Sequence, residues 1–107
     1  MIYNKIIIDP TKISEDLLIR LADELTDSRS LSVLGLNCSP IVQMHVVCNK
    51  NTPIPLFEVL YKKSSWEVRS AIAEQERTPK RILEKLSNDS HINVRFKARH
   101  TLKKLEH

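Results

Sequence analysis

The sequence predicts an all-α fold: a short α-solenoid of about seven short antiparallel helices, preceded by an extended N-terminal arm. Three observations predict it. A segment recurs at an offset of 26 residues, apolar residues fall at helical spacing inside each copy, and turn or cap residues punctuate the chain about every 13 residues. Internal periodicity of this kind marks an array in which no unit buries its apolar face alone, so neighbours must stack.

Met1–Asp9 holds Ile2, Tyr3, Ile6, Ile7 and Ile8, a β-prone cluster that Pro10 terminates. We read residues 1–10 as an arm covering the exposed end of the first helix pair, the alternatives being a strand that pairs with another chain or a short extra helix. Ser14-Glu15-Asp16 followed by Leu17, Leu18, Leu21 and Leu25 is a capped amphipathic helix over 14–24. Asp27-Ser28 with Leu31, Val33, Leu34 and Leu36 gives a less regular helix over 28–36.

The repeat proper begins at residue 38. Ser39, Val42, Thr52-Pro53, Glu58 and Leu60 meet Ser65, Val68, Thr78-Pro79, Glu84 and Leu86, and Val46/Ile72, Leu56/Ile82 and Phe57/Leu83 are apolar exchanges. A further copy starts at Ser90, where Val94-Arg95 matches Val68-Arg69. Ser39-Pro40, Thr52-Pro53 and Thr78-Pro79 predict N-cap followed by N1, since proline has no N–H to leave unpaired there. Ser64 with Glu67 has the spacing of a capping box. These signals place helices over 39–49, 53–62, 65–74, 79–87 and 91–104, and divide one domain, 1–104, into units 11–37, 38–63, 64–89 and 90–104. The apolar line of the final helix is thin: Val94, Ala98 and Leu102. Leu105-Glu106-His107 reads as the remnant of a cloned histidine tag and stays outside the functional argument.

The stretch Ser65–Asp89, with Val68-Arg69, Ile72-Ala73, Thr78-Pro79, Leu83, Leu86 and Asp89, resembles the HEAT-like and leucine-rich-repeat-variant families of α-solenoids. The preceding copy departs from the pattern, carrying Gln43 and Lys63 where arginine and aspartate are expected. The resemblance implies a rigid partner-binding surface. It also implies that Asp89 bonds Arg69 or Arg95, which makes those arginines structural. No cysteine-rich segment of the sort that holds an iron–sulfur cluster in some members is present, and no DNA-glycosylase active site is recognisable.

Composition excludes more than it assigns. The chain has 107 residues, one domain's worth, and a single glycine, Gly35, where phosphate-cradling loops need several. No apolar run reaches the roughly 18 residues of a membrane span, and no leader pattern is present, so the expectation is a cytoplasmic chain without membrane contact. The net charge of +4 is uneven: residues 1–53 carry 5 basic and 6 acidic side chains, residues 54–107 carry 12 and 7. Cys38, His45 and Cys48 are the most suggestive metal ligands, but Cys38 lies about 10 Å away along a helix rise of about 1.5 Å per residue, so no metal or other cofactor is expected. Cys38 precedes a helix N-terminus, which would lower its pKa, yet no base accompanies it and no catalytic residue is assigned.

The expected function is therefore non-enzymatic: a protein-interaction module binding a protein partner. The alternative is nucleic-acid binding through basic helices, and the third reading is an enzyme with an unrecognised site. Trp66, Arg69, Lys80, Arg81, Arg95, Arg99 and Lys103 form the candidate binding surface. Arg95, Arg99 and Lys103 are spaced four apart on one helix stripe, and Lys97, His100 and Lys104 form another. Trp66 is read either as a packed side chain against the adjacent turn or as a contact aromatic.

Overall fold

The computed structural model describes residues 2–3, 6–7 and 13–106. Seven α-helices carry the fold: α1 (Glu15–Glu24), α2 (Ser28–Asn37), α3 (Pro40–Cys48), α4 (Ile54–Lys63), α5 (Trp66–Glu74), α6 (Lys80–Leu86) and α7 (Ile92–Leu105). Each lies within a residue or so of its expected span. In the N-terminal stretch, β1 (Ile2–Tyr3) and β2 (Ile6–Ile7) pair antiparallel, with Ile2 opposite Ile7 and Tyr3 opposite Ile6. The described part of this stretch is thus a short antiparallel pair. The rest of the expected arm, and its covering role, lie outside the described residues, as does His107.

The odd helices pack in succession, α1 on α3, α3 on α5 and α5 on α7. The even helices form a second row, α2 on α4 and α4 on α6, and the rows meet through α2–α3, α4–α5 and α6–α7. The molecule measures 43 × 24 × 19 Å. Its core lies between the rows, where Leu31, Val42, Val46, Phe57, Leu60, Val68, Ile72, Ile82, Leu86 and Val94 are buried at helical spacing. Helices of this length are marginal alone in water, so this shared burial stabilises them.

Several caps work differently from expectation. Ser14 and Asp27 do cap α1 and α2, accepting from the N–H of Leu17 at 3.3 Å and of Ser30 at 3.0 Å. The N-caps of α4 and α6, however, are Pro53 and Pro79. The hydroxyls of Thr52 and Thr78 point backwards and donate to the carbonyls of Val46 (2.5 Å) and Ile72 (2.7 Å) in the preceding helix. Both threonines are buried, so their hydroxyls satisfy carbonyls that water cannot reach. Ser64 and Glu67 form no capping box: the α5 N-cap is Ser65, whose side chain makes no cap bond, and the Ser64 hydroxyl donates to Leu60 O. Ser39 caps α3 by backbone geometry alone and gives its hydroxyl to Glu15 Oε2 at 2.8 Å.

A second set of bonds ties each odd helix to the one before it. Asn49 Nδ2, at the end of α3, donates to the carbonyls of Ala22 and Leu25 at 2.8 Å each. Arg77, just after α5, donates to Asn49 O at 2.9 Å and Lys50 O at 3.0 Å. Thr101 Oγ1 of α7 donates to Ala73 O of α5 at 2.5 Å. The carbonyls at each odd helix's C-terminal end are thus met by side chains from the next odd unit.

Candidate protein-binding face

α7 is built to present two opposite sides. Val94, Ala98 and Thr101 turn inward and are buried. Ile92, Phe96, Arg99 and Lys103, spaced i, i+4, i+7 and i+11, form the line diametrically opposite. All four are exposed, Ile92 at 63% and Phe96 at 75%. The helix sequence contains Arg95, Lys97, Arg99, Lys103 and Lys104 and no acidic residue. Leu102, expected in the apolar line, is only half-buried, and Thr101 takes the inward position because its hydroxyl finds Ala73 O.

Beside this face an open groove of about 410 Å³ is lined by Glu74, Phe96, Lys97, His100, Thr101 and Lys104. Its lysines are paired. Lys97 Nζ lies 2.6 Å from Glu74 Oε1, and Lys104 Nζ lies 3.6 Å from Glu76 Oε1. Trp66, at the first position of α5, is 39% exposed and stacks on His91, ring centroids 4.0 Å apart and planes 5° from parallel. His91 is the N-cap of α7 and accepts from the N–H of Asn93 at 3.2 Å. Trp66 therefore both packs on the adjacent turn and keeps part of its surface in solvent.

The remaining candidate residues divide by what already holds them. Arg69 is half-buried and grips Asp89 with two bonds, Nε to Oδ2 at 2.8 Å and Nη2 to Oδ1 at 3.1 Å, while Nη1 donates to Ser64 O at 2.7 Å. Arg95 donates to the backbone carbonyls of Asp89 at 2.8 Å and Ser90 at 3.2 Å, not to the Asp89 carboxylate. Arg99 Nε donates to Ser87 O at 3.1 Å, and Arg81 is ion-paired with Glu58. Lys80 and Lys103 are exposed and have no ion pair among the described residues. Five of the seven have an internal partner, counting Trp66 on His91, and bidentate arginine bonds to a carboxylate are structural anchors of the strong kind.

Desolvation works to raise the Asp89 carboxyl, but the hydrogen bond from Arg69, the His91 N–H and the charges of both residues outweigh it and hold the group below its ordinary value. Asp27 is likewise held low, chiefly by the Ser30 hydroxyl at 2.7 Å and then by the Ser30 N–H. Partial burial pushes the Cys38 thiol up, which reverses the lowering expected from its place before a helix. Desolvation, then the charges of Glu74 and Asp23, raise the Cys48 thiol as well. Both cysteines are free thiols, and His45 is engaged by Asp23, Nδ1 to Oδ1 at 2.7 Å. Among the described residues no group of three or more His, Cys, Asp and Glu side chains is placed to hold a metal, and no helix is long and apolar enough to cross a membrane.

Phe96 is the residue that sequence reasoning passes over. Its signal is present: at an offset of 26 it stands where the preceding copy has Ser70, and it lies four residues from Ile92. A comparison with protein-family models, with curated proteins and with solved structures finds no match to this chain in any of the three.

Proposed function

We propose that this chain is a non-enzymatic protein-interaction module, a short α-solenoid of HEAT-like helix pairs that offers the outward face of α7 to a protein partner. The observation that carries the reading is Phe96, an aromatic side chain 75% exposed beside Ile92 on a helix otherwise covered by charge. Exposed aromatic anchors next to arginine, on a surface that needs no ordering to bind, are the stuff of interface hot spots. The repeat reading is supported by bonds that recur at the offset seen in the sequence: Thr52 to Val46 O matches Thr78 to Ile72 O, and Arg69 to Ser64 O matches Arg95 to Ser90 O.

Photo-crosslinking tests it. Benzoylphenylalanine in place of Phe96, in the cells that make the protein, is expected to give a discrete adduct that Ile92→Gln removes, while the same probe at exposed Lys63 gives none. No adduct at position 96, or the same adduct from position 63, overturns the reading.

The second reading, nucleic-acid binding, has one observation in its favour: Phe96 stands among Arg99, His100 and Lys103, the mixture used to stack bases and meet phosphates. The internal pairing of Arg69, Arg81, Lys97 and Lys104 weighs against it, because a cation already paired releases fewer counterions. Anisotropy of labelled duplex DNA and structured RNA at two salt concentrations separates the two. The module reading expects no micromolar binding, and binding that collapses with salt replaces it with the nucleic-acid reading.

A further inference from the structure

We infer that the outward face of α7 receives the α1 end of a second copy of this chain, joining molecules head to tail. The inference deepens the proposed function, rests on its reading of that face, and names the partner.

Three observations lead there. The first is positional. Moving back 26 residues from Phe96 and Arg99 gives Ser70 and Ala73 of α5, and both are buried. They are buried where α7 lies on α5, with Thr101 bonded to Ala73 O and Lys97 paired to Glu74. Among the described residues no helix lies on the corresponding side of α7. That side has the place of a stacking surface and carries apolar side chains, Ile92 and Phe96, that water does not favour.

The second observation concerns the opposite end of the row. α1 meets α3 along the side marked by Asp23, which holds His45, and Glu15, which holds Ser39. Leu17, Leu21 and Glu24, spaced i, i+4 and i+7, form a different line. Leu17 is 45% exposed, Leu21 is half-buried and Glu24 is exposed. Among the described residues this end therefore offers leucines rimmed by acid, where the α7 end offers Ile92 and Phe96 rimmed by base.

The third observation is charge. α1 contains Glu15, Asp16, Asp23 and Glu24 against one arginine, Arg20. α7 contains five Lys and Arg residues and no acid. Two α7 faces laid together would bring like charges into contact, which disfavours a symmetric dimer through this helix. An α7 face laid on an α1 end brings opposite charges together around an apolar centre. The same complementarity already operates inside the molecule, at Glu74–Lys97 between α5 and α7. Such a contact uses different surfaces on its two sides, so it leaves each dimer with one free end of each kind and extends with concentration.

Sedimentation of the intact chain, with a complementation step, decides the matter. From about 10 μM to about 0.5 mM protein, the average mass is expected to rise above that of one chain. The rise should be greater at roughly 20 mM salt than at 500 mM, where the Debye length is much shorter. Phe96→Gln blocks the α7 end and Leu17→Gln the α1 end, and each variant alone should stay monomeric. Mixed in equal amounts, they should form a dimer that grows no further, since each supplies the end the other lacks. Matching circular dichroism spectra establish that both variants fold. A wild-type chain that remains monomeric throughout overturns the inference, as does association that survives Leu17→Gln or a mixture that stays monomeric. If the chain is monomeric while the probe at position 96 still captures another protein, this inference fails and the proposed function stands.

Discussion

Ser70 shows how a single polar atom can be out of place in a packed helix. Its hydroxyl is buried in α5 and has no hydrogen-bond partner among the described residues. An unpaired buried hydroxyl costs free energy, and alanine is also the better helix former. Ser70→Ala is expected to stabilise the fold by about 1 kcal/mol, read as a higher urea midpoint at an unchanged slope. Arg77 illustrates the opposite case. It donates to two carbonyls beyond α3 and lays its guanidinium over the Phe57 ring, 5.2 Å from the centroid. Sequence spacing alone groups it with the basic residues around Lys80 and Arg81, because position along the chain does not reveal a carbonyl some 27 residues earlier. The same blindness hides the backward turn of Thr52 and Thr78. A Thr-Pro step has the composition of an N-cap, and only the fold brings Val46 O and Ile72 O within reach of those hydroxyls.

At the scale of elements, α2 and α4 approach closely at the chain's single glycine. A Cβ on Gly35 would stand 2.7 Å from Leu56 Cδ2, and Leu56 is itself only 4% exposed. Gly35→Val adds two further methyls to that gap and is expected to destabilise by about 1–3 kcal/mol, seen as a lower Tm by circular dichroism. The helix spans were legible in the sequence because apolar spacing and proline punctuation agree at the starts of α3, α4 and α6. Leu56, Leu60, Ile82 and Leu86 carry that spacing. The side of α7 that faces outward was less legible. Val94 and Ala98 mark the inward side, but Phe96 attracts attention only when α7 is known to have no neighbour beyond it among the described residues. The expected Asp89 bond to Arg69 is present, whereas Arg95 turns to carbonyls instead, since both Asp89 oxygens are already taken by Arg69 and the His91 N–H.

For the whole molecule, pH acts through the carboxyls held low. An unfolded aspartate titrates near 3.8, and Asp89 and Asp27 lie below that in the fold. As pH falls through this interval the unfolded chain binds protons that the folded chain does not, so acid removes stability that is fully present at neutral pH. The urea midpoint, followed by Trp66 fluorescence, should hold steady from neutrality to about pH 5 and fall below about pH 4. Asp89→Asn should lower the midpoint at pH 7, by about 1.5–3 kcal/mol if its charged bonds to Arg69 are lost, and flatten the acid limb. An acid limb as steep as the wild type's would mean that other carboxyls control it.

The bonds that run from one odd helix back to the previous one also bear on synthesis. A ribosome delivers the chain from its N-terminus, so Ala22 and Leu25 carbonyls wait for Asn49, those of Asn49 and Lys50 for Arg77, and that of Ala73 for Thr101. Each segment emerges with its acceptors open and is closed only by donors made later, roughly one helix pair further along the chain. A nascent chain whose emerged part ends between residues 80 and 100 would thus hold α1 and α3 fastened while α5 still frayed at Ala73. The order of translation is written into the direction of these donors.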